Sequence, residues 1–330
     1  MNFKRPALRS RLGRAVWIGL ALLLILSSLP WLAPQWWFAD LCSHFRIQAA
    51  ALGIVAALML LWRRLWRAAA AAVLIFVIDV TALAPLFAST PAPIDAPASA
   101  RALRVAFSNV FYRNPHVDRV IRFALESDAD VIVFAEITPA WNAALAPLAQ
   151  RYPYRHYAFL PGQRRAGTLL VSRLPLESAR TIGFGRTGDP AVQAQVRAGG
   201  RLFHLIGAHP TWPLWRIATH NRDAQYAQLG AIARAAGADT ILIGDFNATP
   251  FSPAFERFIA GAGLRDASMG RWMPTWPTFF PPLYLQIDHA LISADLRVSN
   301  FARGTGVGSD HLPIVLDVAQ EVSVSRTASR

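Results

Sequence analysis

The sequence predicts a mixed α/β domain carried behind an N-terminal membrane anchor, with polar residues gathered at one rim of its sheets. Three observations predict it. Short apolar runs of strand length recur through the C-terminal two thirds of the chain, and many end in Asn, Asp, Glu or His. Segments with helical spacing lie between several of these runs. The first 88 residues instead hold three long, almost uncharged apolar stretches.

Residues 1–14 are a short basic tail with Lys4, Arg5, Arg9, Arg11 and Arg14. The apolar run at 15–33 that follows is long enough to cross a bilayer. Trp31, Trp36 and Trp37 lie where interfacial aromatics belong. A second run at 47–62 is short and relies on snorkelling by Arg46 and Arg63. A third, at 68–87, follows Arg63, Arg64 and Arg67, so residues 15–88 read as an anchor of about three transmembrane helices. A cleavable signal peptide is the alternative for the first run, but Pro30 and Pro34 make a poor cleavage context and two spans follow. The positive-inside rule places the tail and the 63–67 loop in the cytoplasm. Three crossings of an inner membrane then put everything after residue 88 in the periplasm. Asp79 falls inside the third span, where an acid marks a functional or helix-packing position, and no basic residue of the spans is an obvious partner.

Residues 89–100, S-T-P-A-P-I-D-A-P-A-S-A, form a Pro/Ala linker that could reach roughly 35 Å if extended. Such a tether would let a domain work near the membrane without being fixed to it. The domain itself occupies 101–320, and 321–330 read as a flexible polar tail. The formal charge of +13 is spread out: nine Lys/Arg face Asp40, Asp79 and Asp95 in the first 100 residues, leaving +7 for the remainder. That balance favours anionic partners without singling out nucleic acid. Cys42 is the only cysteine, which excludes an intramolecular disulfide framework.

Within the domain, L-R-V-A-F-S-N-V at 103–110 alternates like a strand and delivers Asn109, and 118–127 has helical spacing. The strand at 130–136 ends in Glu136, an acid that wants a cation or a donor, an Arg salt bridge being one solution. The strand at 167–176 exits through Ser172 and Arg173, which either contact phosphate or only shape a turn. Residues 202–209 end at His209, Pro210 stops that strand, and a helix follows at 219–236. The run at 240–243 leads into G-D-F-N, where alternation puts Asp245 and Asn247 on one side and Phe246 in the core. A carboxylate beside an amide suits orienting a water and a phosphate oxygen near a hard cation, and an Asx turn is the plainer reading. A short helix at 253–259 precedes the strand at 287–293, with Asp288 near its start, and Asp310 and His311 stand side by side before a last strand at 314–318. Gly304, Gly306 and Gly308 lack the Lys-Ser/Thr pair and the helix of a phosphate loop.

Strands that release polar groups at one rim build a shared site there. Carboxylates, amides and two histidines without cysteine suit Mg²⁺ or Mn²⁺ rather than a structural zinc.

The segments S-N-V at 108–110, V-I-V-F-A-E at 131–136, L-L-V-S-R-L-P-L at 169–176, G-A-H-P at 207–210, G-D-F-N-A-T-P at 244–250, I-D-H at 287–289 and S-D-H-L-P at 309–313 resemble the endonuclease/exonuclease/phosphatase (DNase I-like) superfamily, in its order. The resemblance, which covers about 103–320, implies a four-layered α/β sandwich of two mixed sheets between helices, and metal-dependent cleavage of phosphate esters. It implies Glu136 as principal metal ligand with Asn109 close by. Asp245 and Asn247 would position water and phosphoryl group. His311 would contact the phosphate or act as acid/base, oriented by Asp310, which also adds to the metal shell. His209 would be the second catalytic histidine, and Asp288 would support the site through a neighbouring histidine or the metal.

Where abasic-site endonucleases of the family carry a Tyr/Asn segment, this chain has G-A-H-P, which resembles the DNase I, sphingomyelinase and inositol-phosphatase branches. The aromatic segments at 212–215 and 272–284 either wrap the sheet, stack bases or dip into lipid. The expected substrates are lipid head groups or small phosphodiesters ahead of nucleic acid, with no obligate protein partner. A nuclease and a catalytically silent, membrane-tethered binding module are the alternatives.

Overall fold

Among the described residues, twelve strands form two six-stranded sheets, with helices outside both. The computed structural model describes residues 5–33, 36–84, 101–162, 166–185, 187–268 and 270–319. The linker at 89–100, the tail at 321–330 and the end of the third apolar run lie outside the described residues.

The first sheet contains β1 (Arg101–Asn109), β2 (Val131–Ile137), β3 (Tyr154–Ala158), β4 (Gly167–Ser172), β11 (Val298–Arg303) and β12 (Ile314–Ala319) in the order β11-β12-β1-β2-β4-β3. The second contains β5 (Leu176–Ile182), β6 (Ala191–Ala198), β7 (Arg201–Ala208), β8 (Thr240–Asp245), β9 (Leu264–Asp266) and β10 (Asp288–Ser293) in the order β5-β6-β7-β8-β10-β9. Among the described strands, only β1–β2 and β7–β8 pair in parallel. Alternation along each strand fills both faces. Leu103, Val105 and Phe107 of β1 meet Leu205, Ile241 and Ile243 of β7 and β8 between the sheets. Ala106, Ile132 and Phe134 face outward against Val120 and Phe123 of α5 (Val117–Glu126) and Trp141 of α6 (Pro139–Ala144). On the other flank, Ile206 and Leu242 face Tyr226 and Leu229 of α7 (Arg216–Ala236) and Phe255 and Phe258 of α8 (Pro253–Ala262). Both faces of the central strands are therefore buried, which is why those strands read as unbroken apolar runs. The expected four-layered DNase I-like sandwich is the observed fold.

The N-terminal part forms α1 (Arg5–Ser28), a short α2 (Trp37–Ser43), α3 (Arg46–Trp62) and α4 (Trp66–Ala82). The stretch Gly13–Leu32 is long and apolar enough to cross a membrane, and α2 and α3 pass the same test only together, across a 64° bend. Asp79 does have a partner. Arg46 at the start of α3 turns inward, its Nη1 3.3 Å from Asp79 Oδ1, while Ser27 donates to Asp79 Oδ2 at 2.6 Å. The sequence disguised this because Arg46 flanks its own span and looked destined for the interface.

The domain is also fixed to the N-terminal helices, where the linker had suggested a loose tether. Asp40 of α2 is buried 2.8 Å from the fully buried Arg222 of α7, and Ser252 donates to Asp40 at 2.8 Å. His44 meets Thr249 at 3.1 Å, and Gln48 of α3 donates to the Tyr284 carbonyl at 3.0 Å. A buried carboxylate needs these partners, and release of α2 would leave the buried Arg222 with Asp223 of its own helix as its remaining acidic partner.

Candidate active site

Eight of the ten singled-out residues gather at one end of the sandwich, Asn247 and Asp310 lining the cleft and six others meeting between the sheets. The inward alternation of β1 continues to Asn109, that of β7 to His209 just past its end, and that of β8 to Asp245. Gly244 lets β7 and β8 approach, since a Cβ there would collide with the Ala208 carbonyl. Glu136 is the exception to alternation, because 132 and 134 face outward. The register of β2 against β4 slips between Phe134 and Ile137, and Glu136 adopts φ +60. This bulge turns its carboxylate to the rim.

There Asn109 Nδ2 donates to Glu136 Oε1 at 3.0 Å and to Asp245 Oδ2 at 3.1 Å, and the Tyr112 amide donates to Glu136 Oε2 at 3.0 Å. Asp288 stands opposite Asp245 in the β8–β10 register. His311 spans the two, with Nδ1 2.9 Å from Asp288 Oδ2 and Nε2 3.6 Å from Asp245 Oδ2. His209 approaches from the other side, with Nε2 3.5 Å from Asp245 and Nδ1 3.1 Å from Asp189 Oδ2.

Burial alone would lower both imidazoles, but the surrounding acids prevail. Asp288 and Asp245 raise His311 to about 10. The hydrogen bond that Nδ1–H donates to Asp189 and the charges of Asp245, Asp189 and Glu136 raise His209 to about 9. Burial pushes the Asp245 carboxyl up, with His311 opposing and Asp288 adding to the rise. The acids thus favour the imidazolium form of both histidines, while burial disfavours the charged form of Asp245.

Asp310, expected to orient His311, does not touch the ring. Its Oδ2 accepts from the Trp276 indole at 3.0 Å and its Oδ1 from Ser309 at 3.4 Å. Neighbouring positions in an irregular loop diverge, so Asp288, from another strand, orients the imidazole. His289, beside Asp288, points to the opposite face of β10, between Asp266 and the Ala248 carbonyl. Asn247 forms the anticipated Asx turn, donating its amide to Asp245 Oδ1 at 2.9 Å, and its Nδ2 donates to the Pro210 carbonyl at 2.9 Å. Ser172 and Arg173 lie at the far end of the sheet, because β4 runs antiparallel and sets Ser172 opposite Val131. Ser172 bonds the Leu174 carbonyl, and Arg173 grips Asp128 and Asp130, so neither reaches the site. Asp189 was not foreseen; it sits in a loop before β6, a strand that sequence reading passed over.

The donor set fits a hard divalent cation. Asp245, Asp288 and His311 offer ligand atoms within 4.8 Å of one another and could hold a metal ion. Asp288 Oδ1 is buried without a hydrogen-bond partner, an arrangement a cation would relieve.

The family model described as endonuclease/exonuclease/phosphatase matches residues 106–311, and the chain belongs to that family. No curated protein sequence matches the chain. Among solved structures, humanized D. rerio TDP2 is similar at 21% identity and a TM-score of 0.53, over 66% of this chain and 99% of that one. D. rerio TDP2 complexed with single strand DNA product gives 20% identity and a TM-score of 0.52, over 66% and 99%. The beta toxin of Staphylococcus aureus gives 16% identity and 0.52, over 66% and 100%. At these identities the likeness speaks to the fold.

Proposed function

We propose that the chain is a membrane-anchored phosphoesterase, dependent on Mg²⁺ or Mn²⁺, that hydrolyses phosphodiester or phosphomonoester bonds by in-line attack of water. The observation that carries this reading is the bracket of Asp245 by two imidazoles, each held at Nδ1 by its own acid. A bound cation would be held by Glu136 with Asp245 and Asp288 to hand, and would supply charge neutralisation for the phosphoryl oxygens. Asp245 orients the water and takes its proton as the oxygen bonds to phosphorus. His311, as imidazolium, holds a non-bridging oxygen. His209 donates a proton to the leaving oxygen as the P–O bond breaks, yielding an alcohol and a phosphate product. Asn109 and Asn247 fix the two carboxylates in place.

The anchor reading rests on inside-out packing. The contacts among α1, α3 and α4 are made largely by small residues such as Ala57, Ala69 and Ala72, while Ile18, Leu22, Leu52, Leu58 and Leu74 are exposed. Such a surface belongs in lipid, not water. We place three crossings in an inner membrane, with the catalytic domain on the periplasmic side.

The test is release of p-nitrophenol from bis(p-nitrophenyl) phosphate by the full chain in detergent, with Mg²⁺ or with EDTA. Activity only with the metal, reduced about a hundredfold or more in His311→Ala and Asp245→Ala, is expected. Folded variants that turn over at the wild-type rate would sink the reading, and inactivity of the wild type would favour a binding module.

A further inference from the structure

The cleft over these residues, about 460 Å³, has a polar floor and an apolar wall, and the anchor contributes to that wall. Leu41 and Phe45 line it from α2 and the residues just after it, facing Leu214, Leu285 and Ile287 of the catalytic domain. Phe45 is the residue immediately before α3, so the wall runs on directly into a helix of the apolar bundle. The clamp of Asp40 on Arg222 and of His44 on Thr249 fixes this arrangement.

Two further observations say what enters. Large apolar side chains stand exposed on the segments flanking the cleft: Trp212 and Ile217 on one side, Phe279 and Phe280 on the other, with Phe279 76% accessible. A rim of this kind, on a chain that already carries an exposed apolar bundle, sits at a bilayer interface. Among the described residues, none of those lining the cleft is Lys or Arg, whereas Glu136, Asp189, Asp245 and Asp310 all line it. A polyanion would meet no basic track there. A single phosphate with an apolar arm would meet both halves of the cleft.

We propose that the substrate is a bilayer-resident phosphate ester with a long acyl or alkyl chain, whose apolar part passes Leu41 and Phe45, so that the anchor is part of the substrate site. This rests on the phosphoesterase reading above.

The test uses the full chain in nanodiscs with Mg²⁺ or Mn²⁺ and p-nitrophenyl alkyl phosphates carrying ethyl, octyl or hexadecyl arms, the leaving group being constant. Concentrations are expressed as mole fraction in the lipid, which removes partitioning. The expected result is a kcat/KM that rises about tenfold or more from ethyl to hexadecyl, because only an arm long enough to lie along Leu41 and Phe45 holds the phosphate in place over the polar floor, a gain in positioning rather than in transfer out of water. The rise should collapse in Leu41→Ser/Phe45→Ser and persist in Phe45→Leu. If circular dichroism shows the double variant unfolded, Leu214→Ser on the facing wall serves in its place. A flat wild-type series, an undiminished rise in the folded variant, or faster cleavage of an oligothymidylate than of the hexadecyl ester would overturn the inference while leaving the phosphoesterase reading intact. Failure to release p-nitrophenol from any of the three esters would instead remove that reading.

Discussion

Asp245 and Asp288 face each other across neighbouring antiparallel strands, both almost wholly buried, with His311 as the bridge between them. Like charges opposite one another in a sheet repel, so this pair persists only because imidazolium, and in a metal-bound state a cation, sits against it. The acid that orients His311 is thus its partner across space, not its neighbour in sequence. Asp288→Asn should reduce kcat at least about tenfold, by disturbing the tautomer and charge of the ring, whereas Asp310→Asn should leave kcat within about threefold. Steady-state kinetics on bis(p-nitrophenyl) phosphate decide it, and the reverse ranking would restore Asp310 to the orienting role.

The same repulsion predicts how metal acts on stability. A cation that binds the folded site and not the unfolded chain stabilises it by about 2.7 kcal/mol at a hundredfold excess over its Kd. Mg²⁺ or Mn²⁺ should therefore raise the thermal midpoint of the wild type in detergent. Asp245→Asn/Asp288→Asn should show a much smaller rise, having lost the charges that the ion relieves. An equal shift in both proteins would place the metal elsewhere.

Much of this was legible in the sequence, for definite reasons. Strands buried on both faces, such as β8, announce themselves as apolar runs, and a polar residue at their end then has only the rim to occupy. Helices α5 and α7 were visible from their spacing. What escaped were the outlying strands: β5, L-E-S-A-R-T-I, is exposed along its middle, buries only Ile182 and carries no alternating pattern. β6, A-V-Q-A-Q-V-R-A, does alternate, burying Val192, Ala194 and Val196, and reading that period would have exposed the loop holding Asp189. The clamp between α2 and the domain was beyond reach, since Asp40 and Arg222 are 182 positions apart and neither belongs to a motif. Ser172 and Arg173 were misplaced because a strand's polar exit does not declare which end of the sheet it leaves by.

Asp189 gives a pH prediction. Despite burial, the His209 imidazole is raised to about 9, with Asp189 as the nearest cause. Removing an anion destabilises the imidazolium, so its pKa falls. If His209 donates the proton to the leaving group, activity declines as pH rises through that pKa. In Asp189→Asn the alkaline limb of the kcat profile should move down by about one unit or more. A limb that stays in place would assign the donor role to another group.

His44 gives the converse case, in the clamp rather than the catalytic floor. Burial lowers its imidazole to about 4, with Asp40 opposing and Arg222 adding to the fall. The geometry agrees: Nδ1 accepts from the Thr249 amide at 3.2 Å, which requires that nitrogen to be unprotonated. Once α2 is released, His44 regains an ordinary pKa near 6.5. Between about 4 and 6.5 the released segment binds a proton that the docked one refuses, so docking is at full strength above that window and weakens as pH falls through it. Asp40 does not compensate. Burial opposes its ionisation, but Arg222, His44 and Ser252 outweigh that and hold its carboxyl below the usual range. Amide exchange across residues 37–48, corrected for intrinsic rates, should therefore be faster relative to the catalytic core at pH 5 than at pH 7.5. His44→Asn should flatten the difference. Equal protection at both pH values in the wild type would mean that His44 is not what makes the clamp acid-sensitive.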